Sequence, residues 1–172
     1  MAGIKVTYIL CYDDNKSFTS DIRQRFSDTT RYCVESYHNA EEFMESVSRE
    51  REKNSCKVAI IGAPDSKEKF EMTDQMTIGV KKADPSAGMI LLAAPDKIDD
   101  LKKAVRFNID AYIPKNSNSI LRIHNAVKKL ISERNITIFR SRRNFSFYVL
   151  LGFLFLAGIM IVIAWLKFPE YF

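Results

Sequence analysis

Residues 5–14 read KVTYILCYDD, a short apolar run over residues 5–12 closed by the acidic pair Asp13-Asp14. The run is too short for a typical helix, and its β-branched and aromatic side chains favour a pleated surface. It predicts a buried strand with two carboxylates at its end. The next segment has a different period. Phe18, Ile22 and Phe26 recur at i, i+4 and i+8, marking one face of a helix over residues 17–26.

The alternation continues outward from there. Residues 31–37 form a second strand candidate, polar enough to lie near a sheet edge, before a helix over 40–52 with Phe43 and Val47 inward. KVAIIGA (57–63), closed by Pro64, precedes a weaker helix over 66–83 that Asp84-Pro85 ends. GMILLAA (88–94), ended by Pro95, precedes a helix over 99–107 with Leu101, Ala104 and Val105 inward. A short strand at 111–113 leads through Pro114-Lys115 to a last helix, capped by Ser119, with Ile120, Ile123, Val127 and Leu130 on one face. Five apolar runs alternating with five helical patterns predict an α/β fold, a doubly wound parallel sheet with helices on both faces. Open sheets of this class bind ligands outside the carboxyl ends of their strands. That directs attention to Asp13-Asp14, Gly62-Ala63, Ala93-Ala94 and Lys115.

Residues 145–166, FSFYVLLGFLFLAGIMIVIAWL, are 22 residues without a charge. At about 1.5 Å rise per residue, roughly 20 apolar residues cross a hydrocarbon core about 30 Å thick. The organisation expected is therefore a head over 1–134, a basic juxtamembrane linker over 135–144, a transmembrane helix over 145–166 and a short tail over 167–172. Arg140, Arg142 and Arg143 flank the span on one side, so the head should face the cytoplasm from a single pass through the cytoplasmic (inner) membrane. The same arginines are placed to contact anionic lipid.

The chain carries a formal charge of +5, of which Arg140, Arg142, Arg143, Lys167 and Glu170 account for +3, leaving +2 on residues 1–139. That argues against a nucleic-acid partner. Cys11, Cys33 and Cys56 lack metal-ligand spacing and read as small, reduced, buried side chains. His38 and His124 read as ordinary surface residues. No Gly-rich phosphate loop, catalytic triad or metal cluster is present, so no enzyme activity is expected.

Several of these segments resemble the receiver domain of bacterial two-component response regulators. YILCYDDNKSF is similar to its first strand and acidic pair, and YCVESYHNAEEFMESV to its second strand and helix. DPSAGMILLAAPD resembles the approach to its fourth strand, and NIDAYIPKN its fifth strand with a lysine. The resemblance covers about residues 4–132 and implies a receiver/flavodoxin-like sheet of order 2-1-3-4-5. In that family an acidic pair binds Mg²⁺, an aspartate ending the third strand takes a phosphoryl group, and a Thr or Ser and a Lys hold its oxygens. Asp13, Asp14 and Lys115 match, but Gly62 stands at the nucleophile and Ala93 at the hydroxyl, and the loop after Gly62 is short. The phosphorylation pocket is thus degenerate. Tyr112 matches the aromatic that changes rotamer on activation. Asn116 stands where the family usually has a proline, which argues against a cis peptide there.

With no carboxylate at position 62 there is no nucleophile to activate. Asp13 and Asp14 retain at most weak Mg²⁺ binding, and Lys115 is expected to neutralise Asp14. No other cofactor is implied. The expected function is a membrane-anchored, phosphorylation-independent pseudo-receiver, a signalling or protein–protein interaction module. A protein partner or second copy would dock through the fourth helix, fifth strand and fifth helix, where Asp99, Asp100, Lys102, Lys103, Arg122, Asn125, Lys129 and Glu133 face outward. Two alternatives stand beside it. One is a structural accessory subunit of a larger membrane complex. The other is a phosphoacceptor using Asp65, whose carboxylate would have to reach several ångströms back.

Overall fold

The computed structural model of the chain describes residues 6–52, 55–64, 70–105 and 109–167, with the side chains of 138–146 and 161–167 outside that description. In chain order the elements are β1 (Val6–Tyr12), α1 (Lys16–Arg25), β2 (Tyr32–Tyr37), α2 (Ala40–Ser48), β3 (Ser55–Gly62), α3 (Phe70–Ala83), β4 (Gly88–Ala93), α4 (Ile98–Ala104), β5 (Ala111–Pro114) and α5 (Ser119–Lys167). The five strands form one parallel sheet of order β2-β1-β3-β4-β5.

Period-2 alternation of side chains divides the core into two layers. Leu10, Ala59, Ile61, Met89 and Leu91 face α2, α3 and α4, where Phe43, Val80 and Leu101 meet them. Ile9, Val58, Ile60, Ile90 and Leu92 point the other way, onto Ile22 of α1 and Ile123 and Val127 of α5. Burial on both faces explains why β1, β3 and β4 read as continuous apolar runs. β2 is an edge strand, and all six of its residues are only half-buried.

Several sequence expectations are corrected at element ends. α2 stops at Ser48 rather than 52, because Arg49 turns extended. α4 stops at Ala104, which is exposed rather than inward, and Val105 follows it into the core. Ser119 does not cap α5. It is the first helical residue, buried, with its hydroxyl donating to Asn116 O at 2.7 Å, while Asn118 O accepts the Arg122 N–H. The N-terminal part of the helix expected over 66–83, residues 66–69, lies outside the described residues.

The chain divides into two compact units, Met1–Arg134 and Asn135–Phe172. Helix α5 is continuous in secondary structure through both. In the second unit, side chains are described over residues 135–137 and 147–160, and in the latter stretch large apolar groups such as Tyr148, Phe153 and Phe155 are exposed. Among the described residues, no helix is long and apolar enough to cross a membrane.

Candidate functional site

The turn after β1 is built by the sequence Asp13-Asp14-Asn15. Asp13 Oδ1 accepts the Asn15 N–H at 2.8 Å, and Asn15 Oδ1 in turn caps α1 by accepting from Ser17 N and Phe18 N at 3.1 and 3.2 Å. These local bonds turn Asp13 inward, where it is 3% exposed, and leave Asp14 at the surface. His38 is exposed, as expected of a surface residue, and places Nδ1 2.8 Å from the Asp13 carbonyl. The carbonyl only accepts, so that nitrogen carries the proton.

Parallel register brings the other strand ends alongside. Ala63 N donates to Leu92 O at 2.7 Å, and Lys115 N donates to Ala93 O at 2.8 Å. Lys115 Nζ then lies 2.9 Å from Asp13 Oδ2. The expected pairing of Lys115 with Asp14 is therefore corrected, because Asp13 is the carboxylate that the Asn15 bond holds inward. Oδ2 has this charge partner but no well-aligned hydrogen bond.

Gly62 is the last residue of β3, beside Asp13. A Cβ built on Gly62 would overlap Asp13 Oδ2 and lie 2.6 Å from its Cγ. The Asp13 carboxylate thus fills the space a side chain at position 62 would need. Ala93 ends β4, buried, and offers no hydroxyl. Tyr112 is half-buried on β5, with Lys102 Nζ 5.9 Å from its ring centroid, and burial raises its pKa. No described peptide is cis, Asn116 included. Asp65, Arg140, Arg142 and Arg143 have no described side chains.

A cavity of about 700 Å³ opens at this edge of the sheet. Asp13, Asp14, Gly62 and Lys115 line one side, and Met72, Thr73 and Met76 of α3 line the other. Ala93 and Tyr112 do not reach it. Magnesium is held by hard oxygen ligands in octahedral geometry. Here one carboxylate is closed on an ammonium, position 62 supplies none, and no group of three His, Cys, Asp or Glu gathers among the described residues. These residues do not fit the ion.

The remaining ionisable groups serve the fold. Burial, reinforced by Asp13, pushes the Cys11 thiol up to about 12, so it is an inert core group. Burial likewise raises Cys33 and Cys56. His124 is not an ordinary surface histidine. It stacks on Phe26 at 5.3 Å with Nδ1 buried and without a hydrogen-bond partner among the described residues, and burial, Lys128 and Arg25 lower its pKa.

Glu35 on β2 accepts from Arg51 and Tyr37 at 2.7 Å and from Ser46 at 2.9 Å. Burial raises its pKa, but these donors outweigh burial and leave the carboxyl below its ordinary 4.5. A folded pKa below the unfolded one means the unfolded chain binds the proton first. The stabilisation is whole above pH 4.5 and is lost as pH falls through the lowered folded value. Glu35→Gln should therefore melt below wild type at pH 7, and the gap should narrow below pH 4.5 in a thermal-melt series. A constant gap across that window would show that ionisation of Glu35 is not what stabilises.

Sequence reading missed Asn15, His38, Met72 and Met76 as neighbours of the site. The N-cap pattern of Asn15 was a readable signal, and the i, i+4 spacing of the methionines placed them on one helix face, but neither showed which face met the strand ends. No family model matches the chain, and no curated protein matches it. Among solved structures it is similar to a response regulator receiver domain protein from Clostridium thermocellum, with 16% identity and a TM-score of 0.56 over 76% of this chain and 98% of that one. A CheY-like receiver domain protein from Methanospirillum hungatei matches with 21% identity and a TM-score of 0.51 over 75% and 96% of the two chains. A protein from a family of redox sensors in the streptococci, described as evolved from two-component response regulators, matches with 10% identity and a TM-score of 0.62 over 78% of this chain and 55% of its own. At these identities the likeness shows the fold alone, and that fold is the one of response regulator receiver domains.

Proposed function

We propose that the chain is a membrane-anchored, receiver-like signalling module that acts through protein contacts and without phosphorylation. The observation that carries this reading is the filled side-chain space of Gly62. Asp13 occupies the side-chain space of Gly62 and is held on Lys115, so neither an acceptor nor room for one exists where the fold would carry it. Small phosphodonors with Mg²⁺ should leave the mass of the intact chain unchanged. An acid-stable, alkali-labile phosphoryl adduct would overturn the reading, and its loss in Asp65→Asn would assign the acceptor to Asp65.

The anchoring half rests on the uncharged 22-residue run at 145–166 and on the exposure of its described part, Phe147 to Met160. A helix apolar on every side needs lipid or protein around it. The intact chain should stay with membranes through carbonate and high-salt washes, with its N-terminus cytoplasmic. Release by either wash would contradict anchoring. Tethering would raise the effective concentration of the head for membrane partners.

The docking face proposed is α4, β5 and the head portion of α5. Its charges include the local pairs Lys102–Asp99 at 3.2 Å and Lys129–Glu133 at 3.8 Å, all exposed, and Leu121 on α5 is exposed as well. Exposed pairs of this kind contribute little alone, and charged faces of mixed sign suit a complementary partner surface. Reversing Lys102, Lys103 and Lys129 to Glu should abolish in-membrane cross-linking of the head without lowering its melting temperature. An unchanged cross-link pattern would place the interface elsewhere.

A further inference from the structure

We propose that the cavity at the strand ends binds a monovalent organic cation on a short apolar stem, a guanidinium or alkylammonium group seated on Asp14 with its stem against Met72 and Met76. The proposal deepens the phosphorylation-independent reading and rests on it. Among the described residues, three charged side chains line the cavity, and two of them, Asp13 and Lys115, are spent on each other at 2.9 Å. The third, Asp14, is exposed and makes no ion pair among the described residues. The net charge that these described residues leave to a ligand is therefore negative.

That charge balance selects the ligand class. A phosphate would meet Asp14 with Lys115 already engaged. A divalent metal finds no third carboxylate among the described residues and would face the Lys115 ammonium. A single positive charge needs only Asp14, and a guanidinium is matched to a carboxylate by its paired N–H donors. Tyr12 also lines the cavity, and its pKa is raised by burial and then by Asp14 and Asp13, so negative potential reaches the cavity mouth. The opposite wall is apolar. Met72 is 43% exposed, Met76 and Ala63 lie deeper, and methionine is the side chain that best adapts to a varied stem. About 700 Å³ falls in the range of small-ligand pockets.

The chemistry has two sources, a free small amine or an arginine side chain presented by a polypeptide. The test uses the full chain in detergent micelles with ¹³C-methyl methionine, which reports all six methionines. n-Butylguanidinium, a single positive charge on a short apolar stem, should shift the Met72 and Met76 methyl signals saturably and leave buried Met89 still. Asp14→Asn, at an exposed position, should melt like wild type and weaken the apparent affinity about tenfold, the worth of one charge-assisted contact. N-acetyl-arginine amide separates the sources. Binding of both probes assigns the site to a polypeptide arginine, and binding of n-butylguanidinium alone assigns it to a free small molecule. The proposal is overturned by the absence of a saturable shift, by a shift undiminished in Asp14→Asn, or by inorganic phosphate shifting the same signals more strongly. Failure of the parent reading looks different, since it shows as an added phosphoryl mass.

Discussion

Lys115→Ala should lower the stability of the head by about 2 kcal/mol at neutral pH, a fall of roughly 5–10 °C in melting temperature. The reason is the asymmetry of a buried ion pair. Removing the lysine leaves Asp13, with a side chain only 4% exposed, as a charge with no compensating cation. Lys115 is itself 30% exposed, so water reaches part of the gap and the loss stays below that of a fully enclosed pair. The variant also gives Mg²⁺ access to two adjacent carboxylates without an ammonium between them. Added Mg²⁺ should raise the melting temperature of Lys115→Ala by binding its folded state and should leave wild type nearly unmoved. The measurement is a thermal melt of the full chain and its variant with and without millimolar Mg²⁺. A variant that melts like wild type would mean that the pair has no electrostatic role.

Gly62→Asp should destabilise the head by about 3 kcal/mol and remain unphosphorylated. Its Cβ alone would lie 2.6 Å from Asp13 Cγ, and the added carboxylate would confront a second buried one. Asp13 would have to leave Lys115 and the Asn15 N–H to make room. Moving the carboxylate rather than adding one removes the conflict. The double variant Asp13→Gly with Gly62→Asp should recover most of the loss. The new carboxylate at position 62 would grow into the space Asp13 vacates near Lys115, and the two sites are in contact and so non-additive. Chemical denaturation of the two single variants and the double variant measures this directly. Additive losses in the double variant would show that the two positions do not share one space.

The fold was legible because parallel strands covered on both faces must be apolar throughout, and the helices between them must carry one apolar stripe. Residues 57–63 and 88–94 read as apolar strands, and the more polar 31–37 read as lying near an edge, where β2 is found. Helix ends were less legible. α4 ends where Val105 turns into the core, and α5 begins one residue after Asn118, because backbone hydrogen bonding decides where a helix stops and starts while periodicity only marks its face.

The candidate site divides in the same way. The sequence by itself determined which groups stand at the strand ends: two carboxylates, a lysine, and a glycine and an alanine where the resembling family has its acceptor and hydroxyl. It also determined the uncharged run of 145–166. Only the tertiary structure decided which carboxylate meets the lysine, that Gly62 is filled by its neighbour, and that Met72 and Met76 close the far wall. Those outcomes depend on distances between segments far apart in the chain. Periodicity reports the face a residue takes on its own element. The partner across the gap is set by how the elements pack, through one short hydrogen bond from Asn15 that turned Asp13 rather than Asp14 inward.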